Sequence, residues 1–359
     1  MDHALRRRRL APFLADEGLD ALWVTRLTNV RYLTGFSGTN GQLLLGADAA
    51  RLFTDGRYDT QAGHEAPDVA RTIYLDGVPP LAGEATAGIR RLGFEASHVT
   101  WTAWNRLQQW ASTAEVDLVP TMGLVERLRR VKDPEELRLL REAQEATDAA
   151  FEAVVLGGGL RTGMTERELA WSLERAMRDA GADGLAFDPI VAFGPSAAEP
   201  HHHPGDRPLA RGDVVKLDFG ALVAGYHADM TRTVAFGEPG PRLRELRDLV
   251  HAAQAAGIAA VRVGASLRDV DGASRAVLAD AGHPLPHGLG HGTGLDIHED
   301  PFLRADDEVL AAGTVVTVEP GVYIPGLGGV RIEDMVEVTD DGPRGIPRTS
   351  KELSLIHIS

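Results

Sequence analysis

An α/β domain followed by an α+β domain is the architecture this sequence predicts, on three observations. Short apolar runs at residues 20–24, 42–46 and 51–54, separated by helical patterns, give the first part an alternating order of strands and helices. Three strong helix patterns then begin near residues 133, 165 and 241, with β segments joined by glycine turns between and after them. A chain of 359 residues, 43% hydrophobic and 25% charged, is long enough to give each part its own core.

The elements follow in order. Arg6 to Arg9 precede Leu10-Ala-Pro-Phe-Leu-Ala-Asp-Glu17, where acids interrupt the apolar run too early for a secretory core, so this stretch is expected to be a solvated amphipathic helix. Asp20-Ala-Leu-Trp-Val24, Gln42-Leu-Leu-Leu-Gly46 and Arg51-Leu-Phe-Thr54 read as strands, punctuated by the glycine-rich Thr34-Gly-Phe-Ser-Gly-Thr-Asn-Gly41. At Val131-Lys-Asp-Pro-Glu-Glu136 an aspartate stands before Pro134 and acids fill the first turn, and an apolar 3.6-residue period runs on to Phe151. The domain boundary is placed just before it, giving domains of residues 1–126 and 127–359. Thr165-Glu-Arg-Glu168 is a capping box, and Pro241 to Val261 reads as a further helix.

Composition narrows the function classes. A formal net charge of −15 argues against nucleic acid and anionic membrane surfaces as partners, since both require a basic footprint. No apolar stretch reaches the roughly 18 residues of a spanning helix. The absence of cysteine removes disulfides, thiolate metal sites and thiol nucleophiles, and fits a reducing, cytoplasmic compartment.

The chemistry begins in Asp213-Val-Val-Lys-Leu-Asp-Phe-Gly220. Alternation sets Val215, Leu217 and Phe219 on one face and Lys216 with Asp218 on the other. A glycine turn and a strand Tyr226–Val234 carrying Asp229 follow, so a hairpin can bring the two aspartates together; on their own they read equally well as solvated strand carboxylates. Thr314-Val-Val-Thr-Val-Glu-Pro-Gly321 places Glu319 where an apolar strand ends. In Gly329-Val-Arg-Ile-Glu-Asp334 parity puts Arg331 and Glu333 on one face and turns Asp334 away. Arg331 reads either as a group that orients the carboxylates or as an ordinary ion-pair partner. The glycine-rich Pro286-His-Gly-Leu-Gly-His-Gly-Thr-Gly-Leu-Asp-Ile-His-Glu299 lets the backbone wrap closely and presents His287, His291 and His298. Nine of the thirteen histidines lie between residues 201 and 298, including the run His201 to His203, of which His202 and His203 read as surface residues. Buried carboxylates need a cation or a hydrogen-bond network, so Asp218, Asp229, His291, Glu319 and Glu333 together point to a two-metal hydrolase.

With these residues assembled, nearly the whole chain resembles the creatinase/aminopeptidase P/prolidase family of pita-bread metallopeptidases. The resemblance rests on the Asp-Phe-Gly strand at Asp218, Ala-Asp-Met-Thr-Arg-Thr at Asp229 and His-Gly-Leu-Gly-His-Gly at His291. Val-Glu-Pro-Gly at Glu319, Arg-Ile-Glu-Asp at Glu333, and the N-terminal Tyr32-Leu-Thr-Gly-Phe-Ser-Gly38 and Thr54-Asp-Gly-Arg-Tyr58 complete it. It implies a creatinase-like first domain, a pita-bread second domain, a homodimer and a peptide substrate. His201 in Pro200-His201 and His298, seven residues after His291, are implied to bind substrate or the tetrahedral intermediate, with His287 and Arg331 as further substrate contacts.

The five ligands are expected to hold two divalent ions, Mn²⁺ from the resemblance with Co²⁺ or Zn²⁺ as alternatives. Asp229 and Glu333 are expected to bridge, and a hydroxide generated there to attack the scissile carbonyl while Glu319 moves the proton. An Xaa-Pro dipeptidase is the expected activity, with an Xaa-Pro aminopeptidase as the alternative. A metal-free creatinase-type amidinohydrolase and a non-catalytic peptide-binding relative are both disfavoured by the intact ligand set. A gate in the first domain is expected to limit substrate length. The final Ser354-Leu-Ile-His-Ile-Ser359 departs from the family pattern and reads as a cloning remnant.

Overall fold

The computed structural model describes residues 1–75, 81, 86–351 and, as backbone, 355–356. The chain divides into two compact units, Met1–Arg129 and Arg130–Ser359.

The first unit is built on a mixed six-stranded sheet, in the order Ala70–Tyr74, Ala50–Asp55, Gln42–Gly46, Ala21–Val24, Arg91–Glu95 and Asp117–Thr121. The expected strands are present, with Ala21–Val24 antiparallel to Gln42–Gly46 and parallel to Arg91–Glu95. Trp23 meets Phe53 edge-on at 5.3 Å in the core. The two N-terminal motifs hold each other: Asn40 donates to Asp55 at 2.6 Å, and Phe36 meets Tyr58 edge-on at 5.7 Å. Gly35 ends the helix Leu27–Thr34 at φ +86°, where a Cβ would meet the Glu65 carbonyl.

One expectation here is corrected. The helix His3–Asp16 forms with Arg8 and Arg9 exposed, but it is not solvated along its whole arginine run, because Arg6 is 3% exposed. Its guanidinium lies 4.2 Å over the Tyr32 ring and donates to the Tyr32 carbonyl at 3.2 Å, while Arg7 donates to the Leu33 carbonyl at 2.7 Å. The apolar stems pack and the charged heads find acceptors, which a helical pattern alone does not reveal.

In the second unit the helix Pro134–Phe151 starts as its sequence dictates. Asp133 accepts from the Glu135 and Glu136 amides, and the Glu136 carboxylate accepts back from the Asp133 amide at 3.0 Å. This helix and Glu166–Asp179 pack on a four-stranded sheet ordered 355–356, Met230–Phe236, Val214–Phe219, Ile190–Phe193. Pro241–Ala260 pairs with a helix the sequence reading did not find, Leu267–Asp280, which Ser266 caps by accepting from the Asp269 amide at 3.0 Å. That pair packs on a five-stranded sheet ordered Glu299–Leu303, Gly290–Gly292, Val315–Val318, Asp334–Thr339, Gly342–Gly345. Of the final Ser354–Ser359, Leu355–Ile356 pairs in parallel with Ala235–Phe236; the other residues of that ending lie outside the described residues.

Two expected strands are broken in the structure. The run Tyr226–Val234 divides at Ala228–Asp229 into Tyr226–His227, in a small three-stranded sheet, and Met230–Phe236 in the four-stranded one. Gly329–Asp334 divides after Arg331, so Arg331 ends the strand Gly328–Arg331, Asp334 opens the next, and Ile332 and Glu333 lie between. The first break is enforced by close approach. A Cβ on Gly220 would run into the Ala228 carbonyl, and the Ala228 amide donates to the Ala221 carbonyl at 2.9 Å.

Gly220→Ala is therefore expected to destabilise the protein by about 1–3 kcal/mol, as overpacking does. Gly272→Ala, exposed in a helix interior with open space around its α-carbon, is expected to stabilise it by about 0.4–1 kcal/mol. Denaturant titrations of the two variants check the opposite signs.

Candidate active site and metal centre

Asp218 is the penultimate residue of the strand Val214–Phe219, opposite Thr231 on one side and Ile190 on the other. Both faces of that strand are buried, so a carboxylate there needs a polar compartment. The other ligand candidates sit where strands bend or end. Asp229 lies at the break before Met230–Phe236, Glu319 follows Val315–Val318, and Glu333 fills the gap before Asp334–Thr339. His291 lies at a register shift between the strands Gly290–Gly292 and Glu299–Leu303. A residue at such a bend is released from strict alternation and can turn toward a shared centre.

The structure brings all five together around one cavity of about 120 Å³. Ligand atoms of Asp229, His291 and Glu333 lie within 4.8 Å of one another. The His291 Nδ1 donates to the Gly292 carbonyl at 3.0 Å. That leaves Nε2 with its lone pair 3.6 Å from Asp229 Oδ2 and 3.5 Å from Glu319 Oε1, the tautomer a metal ligand requires. Glu333 accepts from the Thr231 hydroxyl at 2.6 Å. Asp218 Oδ2 is paired with Arg331, whereas its Oδ1 is buried with no hydrogen-bond partner among the described residues.

The electrostatics follow from crowding. Burial pushes Asp229 and Glu333 well above the ordinary carboxylate range, and the neighbouring carboxylates add to it. Glu319 is pushed up to about 8, chiefly by burial and against the pull of Arg331. Burial lowers His291 to about 4, which keeps it neutral. An orphaned buried oxygen, a neutral imidazole offering its lone pair and four convergent carboxylates fit divalent cations. The oxygen-rich donor set with one nitrogen suits Mn²⁺, Co²⁺ or Zn²⁺.

The remaining expected residues fall at different depths. His201 and His298 line the cavity, as does Arg331, and His298 stacks edge-on against His291 at 4.3 Å between centroids. Burial lowers the His298 pKa. Four of the five Arg331 donors are committed: to Asp218, to the Tyr323 hydroxyl at 3.0 Å, to the Thr231 hydroxyl at 3.1 Å and to the Pro200 carbonyl at 3.1 Å. His287 is not among the residues that line the cavity; its Nδ1 donates to the Gly288 carbonyl and its Nε2 accepts from Tyr323 at 3.0 Å.

His202 corrects the reading of the histidine run. It is no free surface residue, because both ring nitrogens meet carboxylates, whereas His203 is exposed. Sequence reasoning also missed Tyr323, which links Arg331 to His287, and the apolar walls Phe187, Ile190 and Ile297. Tyr323 shares parity with Glu319 and Gly321, a faint signal; the walls carry none, since apolar residues there look like core.

Comparison with known proteins gives the family and the fold. Residues 138–340 match the metallopeptidase family M24, and residues 6–131 match the creatinase/prolidase N-terminal domain. The chain is 38% identical over 357 residues to the uncharacterised peptidase YqhT of Bacillus subtilis, covering 98% of this chain and 100% of that one. Its structure is similar to a Xaa-Pro dipeptidase from Bacillus anthracis, with a TM-score of 0.91 and 37% identity over 99% of this chain and 100% of that one. An X-Pro aminopeptidase from Thermotoga maritima is similar with a TM-score of 0.89 and 31% identity, over 97% and 99% of the two chains. The fold is a creatinase-type N-terminal domain with a pita-bread catalytic domain. The chain is a metallopeptidase and belongs to metallopeptidase family M24, with a creatinase/prolidase N-terminal domain ahead of its catalytic domain.

Proposed function

We propose that this metallopeptidase hydrolyses the Xaa-Pro bond of dipeptides with two divalent ions, Mn²⁺ in the first instance, and that it works as a cytoplasmic homodimer. The observation that carries the reading is the convergence of four carboxylates and one neutral imidazole on a single cavity, with a buried aspartate oxygen left over. The dipeptide substrate is supported by similarity to the Bacillus anthracis enzyme across the full chain. Similarity to the Thermotoga maritima enzyme supports a second reading, an Xaa-Pro aminopeptidase acting on longer peptides.

Asp218, Asp229, His291, Glu319 and Glu333 would hold the ions. When bound, the ions supply Lewis acidity and an activated water at neutral pH. The chain's own groups do the rest. Glu319 accepts the proton of the attacking water and passes it to the leaving nitrogen. His201 and His298 donate to the carbonyl oxygen as negative charge develops, and the lowered pKa of His298 lets it donate as a neutral imidazole. Arg331 fixes Asp218, while His287 acts through Tyr323. Phe187, Ile190 and Ile297 offer an apolar surface suited to a proline ring and exclude water.

Dialysis against a chelator until elemental analysis finds no metal should abolish hydrolysis and lower the melting temperature, and Mn²⁺ should restore both. Full activity in the metal-free protein would overturn the reading. Glu319→Gln should lower kcat by about 10²–10⁴-fold. His201→Ala should leave metal content intact and lower kcat by about 10²–10³-fold; steady-state kinetics with metal analysis separate the two roles. An Xaa-Pro dipeptide should be cleaved faster than a tripeptide with the same first two residues, and the reverse order in a product assay would select the aminopeptidase.

A further inference from the structure

His201 lines the catalytic cavity yet is exposed, and among the described residues its side chain makes no hydrogen bond. Its place is therefore set by the backbone on either side. Before it, the Glu199 and Pro200 carbonyls accept from the buried Lys216 ammonium, and the Pro200 carbonyl also accepts from Arg331 at 3.1 Å. After it comes His202, whose Nδ1 lies 2.7 Å from Glu199 Oε2 and whose Nε2 lies 2.8 Å from Glu166 Oε2.

Glu166 is a tie point rather than an ordinary helix residue. It opens the helix Glu166–Asp179, and its side chain is 1% exposed. Besides His202, it accepts from the Phe193 amide at 2.9 Å and the Gly205 amide at 3.0 Å. One buried carboxylate thus joins a helix start, the end of the strand Ile190–Phe193 and the loop that carries His201. Both hydrogen bonds of His202 can form together only when both ring nitrogens carry hydrogen. Burial alone would lower its pKa, but the bonds to Glu199 and Glu166 outweigh it and hold the imidazole above its ordinary range. A charged ring gripped by two carboxylates resists rotation far better than a single neutral bond does.

We propose that His202 is a positioning residue: clamped between Glu166 and Glu199, it fixes the backbone at His201 and so holds the His201 ring in the catalytic cavity. The inference rests on the reading of His201 as a group that contacts the substrate.

The test uses the metal-loaded enzyme as wild type, His202→Ala, His202→Gln, His201→Ala and the double alanine variant. Each is assayed on whichever of the dipeptide and the tripeptide the wild type cleaves, with metal content and melting temperature measured alongside. His202→Ala should lower kcat about tenfold with KM within about twofold and metal content unchanged, as displacing one donor does. His202→Gln should recover most of that loss, since its amide still reaches Glu166. In the His201→Ala background the further change His202→Ala should alter kcat by less than about twofold, because the group being positioned is already gone. A wild-type kcat in His202→Ala, or the same tenfold loss in both backgrounds, would overturn the proposal and leave His202 a purely structural residue. A wild-type kcat in His201→Ala would instead remove the substrate role of His201, and the positioning role with it.

Discussion

Mutual repulsion among Asp218, Asp229, Glu319 and Glu333 is the constraint from which most of the catalytic unit follows. Two like charges about 4 Å apart in an effective dielectric of about 20 repel by roughly 4 kcal/mol. Here four carboxylates share a small cavity with one arginine. Without a cation, burial and crowding push Asp229, Glu319 and Glu333 up in pKa, which means they relieve the strain by keeping protons. Divalent cations invert that logic, because a nearby double positive charge favours the ionised forms. Affinity for metal and the cost of the empty cluster are thus two sides of one arrangement, and the surrounding structure must hold the groups together against their own repulsion.

It does so with rigid polar struts. Arg331 is fixed by four acceptors and in turn fixes Asp218. Thr231 serves both Glu333 and Arg331. The buried Arg232, one residue on, donates to the Glu333 carbonyl at 2.6 Å and pairs with Asp334 at 2.8 Å, tying the segment that carries Glu333 to the strand Met230–Phe236. Lys132 pairs with Glu299 at 2.7 Å, next to His298 in sequence, with both side chains nearly fully buried. Arg232 and Lys132 do not line the cavity. Buried ion pairs of this kind specify one arrangement at a desolvation cost that apolar packing avoids.

The backbone contributes as much as the side chains. A Cβ on Gly220 would strike the Ala228 carbonyl, and one on Gly290 the Thr317 carbonyl. Gly220 follows Asp218 by two residues and Gly290 adjoins His291, so on both sides of the cavity two chain segments approach more closely than any side chain permits. Close approach is what lets ligands from separate strands reach one point.

Much of the candidate site was legible because it depends on residue type and local order. Carboxylates in Asp-Phe-Gly, Ala-Asp-Met-Thr and Val-Glu-Pro-Gly contexts, and histidines in a glycine-rich stretch, announce themselves one segment at a time. So do the Asp133 and Thr165 helix starts, whose capping residues lie within four positions. The parity argument turned Glu333 inward and Asp334 away, although the strand it assumed is broken at that point. What escaped is what depends on contacts between distant segments: the burial of Arg6 over Tyr32, the helix Leu267–Asp280, and the hydrogen-bonded chain from Arg331 through Tyr323 to His287. The clamp on His202 spans thirty-six residues to Glu166, and no local pattern separates that histidine from its exposed neighbour. By itself the sequence determined the candidate groups and their local elements, since side-chain type and short-range periodicity are written in the chain. Only the tertiary structure decided which of them share a cavity and what holds each in place, because burial, repulsion and hydrogen-bond satisfaction exist only once separate strands have been brought together.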